Sequence, residues 1–274
     1  MKNKEKVLYI TDLDGTLLRR NERISAWSCS TINRLIEKGM LFSYATARSI
    51  YTASVVSEGL VPRLPVIVNN GSFITDSVSR KRILVNQFRD EEAQDIYKIL
   101  RKHDIAPLVD AIIHDREKFS YDEHAINPAL ADFVSSRKND GRDNPLNDTS
   151  VILQGTVFYF TCIGEADKLK AAYEELKPEY NCIFQYDIYT NEPWLEVMPH
   201  TASKSHAILQ LKELYHCDKV VVFGDGINDI PMFEIADECY AMANAIEELK
   251  QIATAVIDSN ENDGVAKWLN ENKG

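Results

Sequence analysis

Val7-Leu8-Tyr9-Ile10-Thr11-Asp12-Leu13-Asp14-Gly15-Thr16 runs from a continuous apolar stretch straight into two carboxylates two residues apart. The apolar run predicts a strand buried on both faces, as in a parallel sheet. In an extended chain Asp12 and Asp14 share one face. Gly15 then permits a tight turn that turns backbone N–H groups toward whatever the carboxylates hold. Two acids placed there repel each other unless a cation joins them. The plain alternative is a capping Asp in an ordinary strand-to-helix turn.

A similar junction recurs near the C-terminus, where Val220-Val221-Val222-Phe223 leads into Gly224-Asp225-Gly226-Ile227-Asn228-Asp229. Asp-Gly and Asn-Asp pairs are also common in plain turns. In open α/β sheets, however, ligands sit beyond the carboxyl ends of the strands. Asp12, Asp14, Asp225 and Asp229 would converge at that edge. Clustered carboxylates suit a hard cation with oxygen ligands, Mg²⁺ first among them. Thr46-Ala47-Arg48 follows another predicted strand, Leu41 to Ala45, and offers a hydroxyl and an amide to a phosphate. Lys204 stands in the first turn of a predicted helix, Lys204 to Leu214, where the helix dipole disfavours a cation. That placement points to a nearby anion; a solvated lysine is the alternative. Asn69-Asn70-Gly71 is either a turn or a further set of polar groups at the same edge.

Between these motifs, helices are expected at Ser25 to Glu37, with Ser25 as N-cap and Gly39 as the stop, and at Ser49 to Ser57. Val66 to Val68 reads as a further strand. Asp229 to Ala236, Ile246 to Ile252 and Val265 to Leu269 read as helices. Strands alternating with helices predict a doubly wound, parallel, Rossmann-like sheet. From Ile83 to Val197 the character changes: strands such as Thr156 to Phe160 are longer and more alternating, with helices at Glu91 to Lys102 and Glu165 to Leu176. This predicts an α+β domain, residues 83–197, inserted into an α/β core of residues 1–82 and 198–274. Ser135 to Ser150, with Asn139-Asp140-Gly141 and Asn144-Pro145, reads as a long polar loop that is either disordered or functional. Trp194 reads as core rather than ligand contact.

The 274 residues carry 31 Lys+Arg against 42 Asp+Glu, a net charge of −11, with 45% hydrophobic residues. This fits a globular enzyme and argues against nucleic acid as the main partner. An anionic substrate then needs a locally positive site. No apolar run reaches membrane-spanning length, and Met1 to Lys6 lacks the apolar core of a secretory signal, so a cytoplasmic protein is expected. Cys29, Cys162, Cys182, Cys217 and Cys239 are odd in number and widely spaced, which reads as reduced thiols. The six histidines show no metal or triad spacing, and no Gly-x-x-x-x-Gly-Lys loop or Gly-x-Ser-x-Gly elbow is present.

Taken together, the motifs resemble the haloacid dehalogenase (HAD) superfamily, and most closely its Cof-type phosphatases. Asp12-Leu13-Asp14-Gly15-Thr16 matches the first motif, Thr46 the second, Lys204 the third, and Gly224 to Asp229 the fourth. Ala47 stands where the family usually has a glycine, and Thr201 and Ser205 stand where glycines often flank the lysine. The resemblance implies an α/β cap between the second and third motifs that closes over the site and governs specificity. It also implies a chemistry. Asp12 is the nucleophile and Asp14 the general acid/base. Mg²⁺ lies on Asp12, the backbone carbonyl of Asp14, and Asp225. Lys204, Thr46, Asn228 and the amides of Leu13 and Ala47 hold the phosphoryl oxygens, and Asp229 orients the site from behind. The implied function is hydrolysis of a small phosphorylated metabolite, with a sugar phosphate among the candidates. A phosphomutase of the same superfamily and a catalytically silent phosphate-ligand sensor are the alternatives. The oligomeric state is not readable.

Overall fold

The computed structural model describes residues 5–137, 140–187 and 190–273. The chain begins with β1 (Val7–Thr11), α1 (Ala26–Glu37), β2 (Leu41–Tyr44), α2 (Ile50–Val56), β3 (Val66–Val68), β4 (Phe73–Thr75) and β5 (Arg82–Val85). It continues with α3 (Asp90–Lys102), β6 (Leu108–Ile113), β7 (Arg116–Asp122), α4 (Pro128–Ser135), β8 (Asp143–Leu146), β9 (Thr156–Ile163), α5 (Ala166–Leu176), β10 (Asn181–Tyr186) and β11 (Pro193–Met198). It closes with α6 (Lys204–Leu214), β12 (Lys219–Gly224), α7 (Ile230–Ile235), β13 (Glu238–Met242), α8 (Glu247–Ile252), β14 (Ala255–Ile257) and α9 (Gly264–Lys273).

These elements form two compact units, residues 1–85 with 203–274, and residues 86–202. The boundaries lie three and five residues beyond those expected at 82/83 and 197/198. β5 pairs with β4 inside the first unit, and the turn after β11 closes within the second, where Ala202 N–H donates to the Pro199 carbonyl at 2.8 Å.

The first unit is built on a parallel sheet in the order β14-β13-β12-β1-β2. The apolar runs at its centre are buried on both faces: Leu8, Ile10, Val220 and Val222 are all fully inaccessible. This is the physical reason those runs do not alternate. Chain order reverses direction across the sheet between β1 and β12, the kind of switch point where open α/β sheets bind ligands. α1 packs against α9 and α6 against α7. α1 starts where Ser25 Oγ accepts from the Ser28 N–H at 3.0 Å, and it buries Ile32, Leu35 and Ile36. Trp268 of α9 lies 4.3 Å from the Tyr240 ring and 5.2 Å from Phe223, centroid to centroid, against β13 and β12.

Val66 to Val68 does form a strand, but not as a full member of that sheet. β3 meets the end of β2 through a single parallel bridge, Ala45 to Ile67. It then pairs antiparallel with β4, and β4 with β5. Asn69, Asn70 and Gly71 turn the chain back after β3 at φ of 50°, 50° and 93°.

The inserted unit is a six-stranded sheet in the order β10-β11-β9-β6-β7-β8. Its pairs are antiparallel except β7 with β8. α3 and α5 bury Ile96, Leu100, Leu169 and Leu176 against Val109, Phe160 and Val197. α4 packs Leu130 and Val134 against Leu108, Phe119 and Ile163 on a second, smaller cluster. Trp194 is half-buried and packs against that cluster, its ring 5.2 Å from Phe133. The stretch expected as a long polar loop, either disordered or functional, Ser135 to Ser150, has defined structure where it is described: β8 runs through Asn144-Pro145 and pairs with β7, and Lys118 Nζ donates to the Gly141 carbonyl at 2.8 Å. Asn139 of the expected Asn-Asp-Gly turn lies outside the described residues.

All five cysteines are free, and four are buried. Among the described residues no helix is long and apolar enough to cross a membrane.

Candidate active site

Loops at the carboxyl ends of β1, β2 and β12, together with the first turn of α6, carry the motifs. β1 leads into Asp12, whose N–H donates to the Phe223 carbonyl of β12 at 2.9 Å. The two strands thus deliver Asp12 and the Gly224–Asp229 loop side by side. After Asp12 the chain turns sharply through Leu13–Leu17, closed by the Leu18 N–H on the Leu13 carbonyl at 2.8 Å. Gly15 sits in that turn at φ +73°, and a Cβ there would collide with the Asp225 carboxylate. Glycine is required on both counts, since L side chains disfavour positive φ.

The centre is ionic. Lys204 Nζ donates to Asp12 Oδ1 and to Asp229 Oδ1, each at 2.7 Å. Lys204, Asp12 and Asp229 are 2%, 5% and 0% exposed. Asp229 Oδ2 accepts the backbone N–H of Asp225 at 2.9 Å and of Gly226 at 3.0 Å. That carboxylate is therefore committed to holding its own loop and the lysine. Asp225 Oδ1 accepts from Thr16 Oγ1 at 2.6 Å. Carboxylate oxygens of Asp12, Asp225 and Asp229 lie within 4.8 Å of one another.

Burial pushes the Asp12 carboxyl well above the usual carboxylate range, against the pull of Lys204. Asp225 is pushed up to about 7, chiefly by burial and then by the Asp229 charge, while the Thr16 hydroxyl opposes the shift. Burial alone would lower Lys204, but Asp12 and Asp229 more than offset it and hold the ammonium firmly protonated. Three carboxylates thus face one ammonium in a dry setting, and the negative excess calls for a cation. An all-oxygen donor set fits a hard divalent ion.

The neighbouring expected residues line the same edge. Thr46 is buried, donates its N–H to the Ile67 carbonyl at 3.0 Å, and accepts the Arg48 N–H on Oγ1 at 3.1 Å. Ala47 keeps a negative φ, so replacing the family's glycine by alanine costs no backbone strain. Lys204 opens α6 with Ser203 as a proper N-cap, Oγ accepting from the His206 N–H at 3.0 Å, so the unusual flanking residues leave the helix start intact. Asn228 Nδ2 reaches Asn70 Oδ1 at 3.3 Å, which places the Asn69-Asn70-Gly71 turn beside the fourth motif. Leu13 is buried in the first loop.

Asp14 departs from the cluster. Its carboxylate is not among the three that converge. Arg48 grips it instead, Nε on Oδ2 at 2.8 Å and Nη2 on Oδ1 at 2.7 Å. The sequence offered no signal for this pair, since an arginine after a strand end is an ordinary surface residue. Nor did it mark Thr16 as a partner of Asp225, or Asn244, whose Nδ2 donates to the Gly15 carbonyl at 2.8 Å.

An α/β sheet with a buried carboxylate–ammonium cluster at its switch point, and a second domain inserted between two of its strands, defines a class of phosphate-processing hydrolases. Residues 9–269 match the family described as haloacid dehalogenase-like hydrolase, and the chain belongs to that family. Among its relatives in Bacillus subtilis are two named 5-amino-6-(5-phospho-D-ribitylamino)uracil phosphatase, YwtE and YitU. YwtE is 28% identical, covering 95% of this chain and 96% of its own. YitU is 27% identical, covering 96% of each. A haloacid dehalogenase-like hydrolase from Bacteroides thetaiotaomicron shares the fold at a TM-score of 0.78 and 23% identity, over 98% of this chain and 99% of that one.

Proposed function

We propose that this chain is a Mg²⁺-dependent phosphatase that hydrolyses a small phosphorylated metabolite through an aspartyl-phosphate on Asp12. The observation that carries the reading is the bridge from Asp12 through Lys204 to Asp229, with Asp225 beside it. Asp12 is buried and next to a fixed cation, which suits a carboxylate that must meet an anionic phosphoryl group. Asp12, Asp225 and the backbone carbonyl of Asp14 would hold the metal ion, which when bound supplies charge screening for nucleophile and phosphate.

In the first step an Asp12 oxygen attacks phosphorus, and the bond from phosphorus to the leaving alcohol breaks. Asp14 delivers a proton to that alcohol oxygen. In the second, Asp14 takes a proton from water, the water oxygen attacks phosphorus, and the bond to Asp12 breaks to release phosphate. Lys204, the Thr46 hydroxyl, the Leu13 and Ala47 amides and Asn228 hold the phosphoryl oxygens throughout. Asp229 steadies Lys204 and the fourth-motif loop. The names of the relatives support a phosphate monoester as substrate, and the five free thiols suit a reducing, cytoplasmic setting.

Purified protein given a panel of sugar phosphates, nucleotides and cofactor phosphates should release phosphate with Mg²⁺ present and lose that activity with EDTA. Turnover that is indifferent to EDTA would remove the metal from the proposal.

A further inference from the structure

We propose that Arg48 is a positioning residue for Asp14: it keeps that carboxyl group out of the cation cluster and fixed for proton transfer, with Glu22 bracing the guanidinium from its other side. The inference rests on the reading of Asp14 as the acid/base. The pair is bidentate, at 2.7 and 2.8 Å, a geometry that fixes a carboxylate's direction as well as its charge. Arg48 Nη2 also donates to Glu22 Oε2 at 2.7 Å. Glu22 has a φ of 55°, an uncommon conformation for a non-glycine residue, in a turn where its N–H donates to the Arg19 carbonyl at 2.9 Å.

Arg48 is itself rooted at the site. Its N–H is on Thr46 Oγ1 at 3.1 Å, and its carbonyl accepts the Asn69 N–H at 2.9 Å. The backbone that carries the fork is therefore tied to the motif-two threonine and to the Asn69–Gly71 turn. Asp12 and Asp14 leave the same strand end with opposite assignments: Asp12 to Lys204 and Asp14 to Arg48. The fork thus sets the direction of a carboxylate that stands two residues from Asp12, beside an acidic, cation-seeking cluster.

The test compares an alkyl phosphate, β-glycerol phosphate, with an activated aryl ester, 4-nitrophenyl phosphate, for wild type, D14N, R48Q, R48K, E22Q and the D14N/R48Q double variant. The aryl leaving group needs little protonation, so a proton-transfer defect shows in the alkyl ester. R48Q should lower kcat/KM for the alkyl ester by about tenfold or more, a part of what general acid catalysis supplies, and leave kcat/KM for the aryl ester within about threefold, because kcat/KM covers the steps through alcohol departure and not the water step that both esters share. R48K should not restore the alkyl rate, because lysine lacks the fork. Adding R48Q to D14N should cost nothing further, as expected for residues acting as one unit. An equal loss of kcat/KM for both esters in R48Q, or additivity in the double variant, would overturn the proposal. Should R48Q fail to fold by circular dichroism, E22Q at the half-exposed end of the brace carries the test, with a smaller loss confined to the alkyl ester supporting it and no such loss overturning it. An alkyl bias in D14N without one in R48Q removes only the role of Arg48, whereas no alkyl bias in D14N removes the reading of Asp14 itself.

Discussion

Asp225 illustrates how much of this site is set by single groups. Its carboxyl is pushed up to about 7 from an ordinary 3.8 by burial and by Asp229. In metal-free protein such a group favours folding while protonated. Its contribution is present below about pH 4 and is lost as pH rises through about 7, because the folded state must then ionise a buried acid. A divalent ion binds the ionised form and competes with the proton. The rise in melting temperature on adding Mg²⁺ should therefore grow between pH 5 and pH 8, and Asp225→Asn should flatten it. Thermal melts with and without Mg²⁺ check this; an increment independent of pH would contradict it. The residues of this cluster were legible in the sequence because the carboxylates follow apolar strands and the ammonium stands in the first turn of a helix, where a cation calls for an anion. The partnership of Arg48 with Asp14 was not, because an arginine fork is chosen by three-dimensional direction and leaves no spacing signature.

Among the elements, the turn at Leu13–Leu17 is the one on which the site depends most. Gly15→Ala places a methyl group at φ +73° and against the Asp225 carboxylate. The positive φ alone costs about 1–2 kcal/mol for an L side chain, and moving Asp225 adds to it. Urea denaturation should show at least that loss, with weaker Mg²⁺ binding by calorimetry. Unchanged stability would mean that the turn has other room. The central strands and the long helices were readable from apolar runs and caps: Ser25 for α1 and the burial of Leu8 and Ile10 for β1 are direct consequences of pattern. β8 was not readable, because Asp143-Asn144-Pro145-Leu146 has the composition of a loop and is a strand only through its edge position beside β7. α4, short and opened by Asn127 with Pro128 at its first turn, and β14, three residues on the sheet edge, were passed over for want of length. The separate pairing of β3 with β4 is set by left-handed Asn69 and Asn70, which composition does not announce.

For the whole molecule, each unit has its own apolar core, and all the proposed cation ligands lie in the first. A ligand stabilises the unit that binds it. The tryptophans divide usefully: Trp27 and Trp268 belong to the first unit and Trp194 to the inserted one. Mg²⁺ should raise the melting temperature reported by Trp268 in a Trp27→Phe, Trp194→Phe background more than that reported by Trp194 in a Trp27→Phe, Trp268→Phe background. Equal shifts would show that the two units unfold as one. The insertion itself was legible as a change in strand character, while its limits were not, since β5 looks like its neighbours on either side of the boundary.

The most direct measurement is the steady-state hydrolysis of 4-nitrophenyl phosphate with saturating Mg²⁺ by wild type and by Asp12→Asn. The substitution keeps the shape of the buried side chain and removes the attacking carboxylate. A loss of at least about 10³-fold in kcat is predicted, in keeping with removal of a covalent nucleophile. A folded Asp12→Asn enzyme that turns over at the wild-type rate would contradict the assignment of the Asp12–Lys204–Asp229 cluster as the reacting centre.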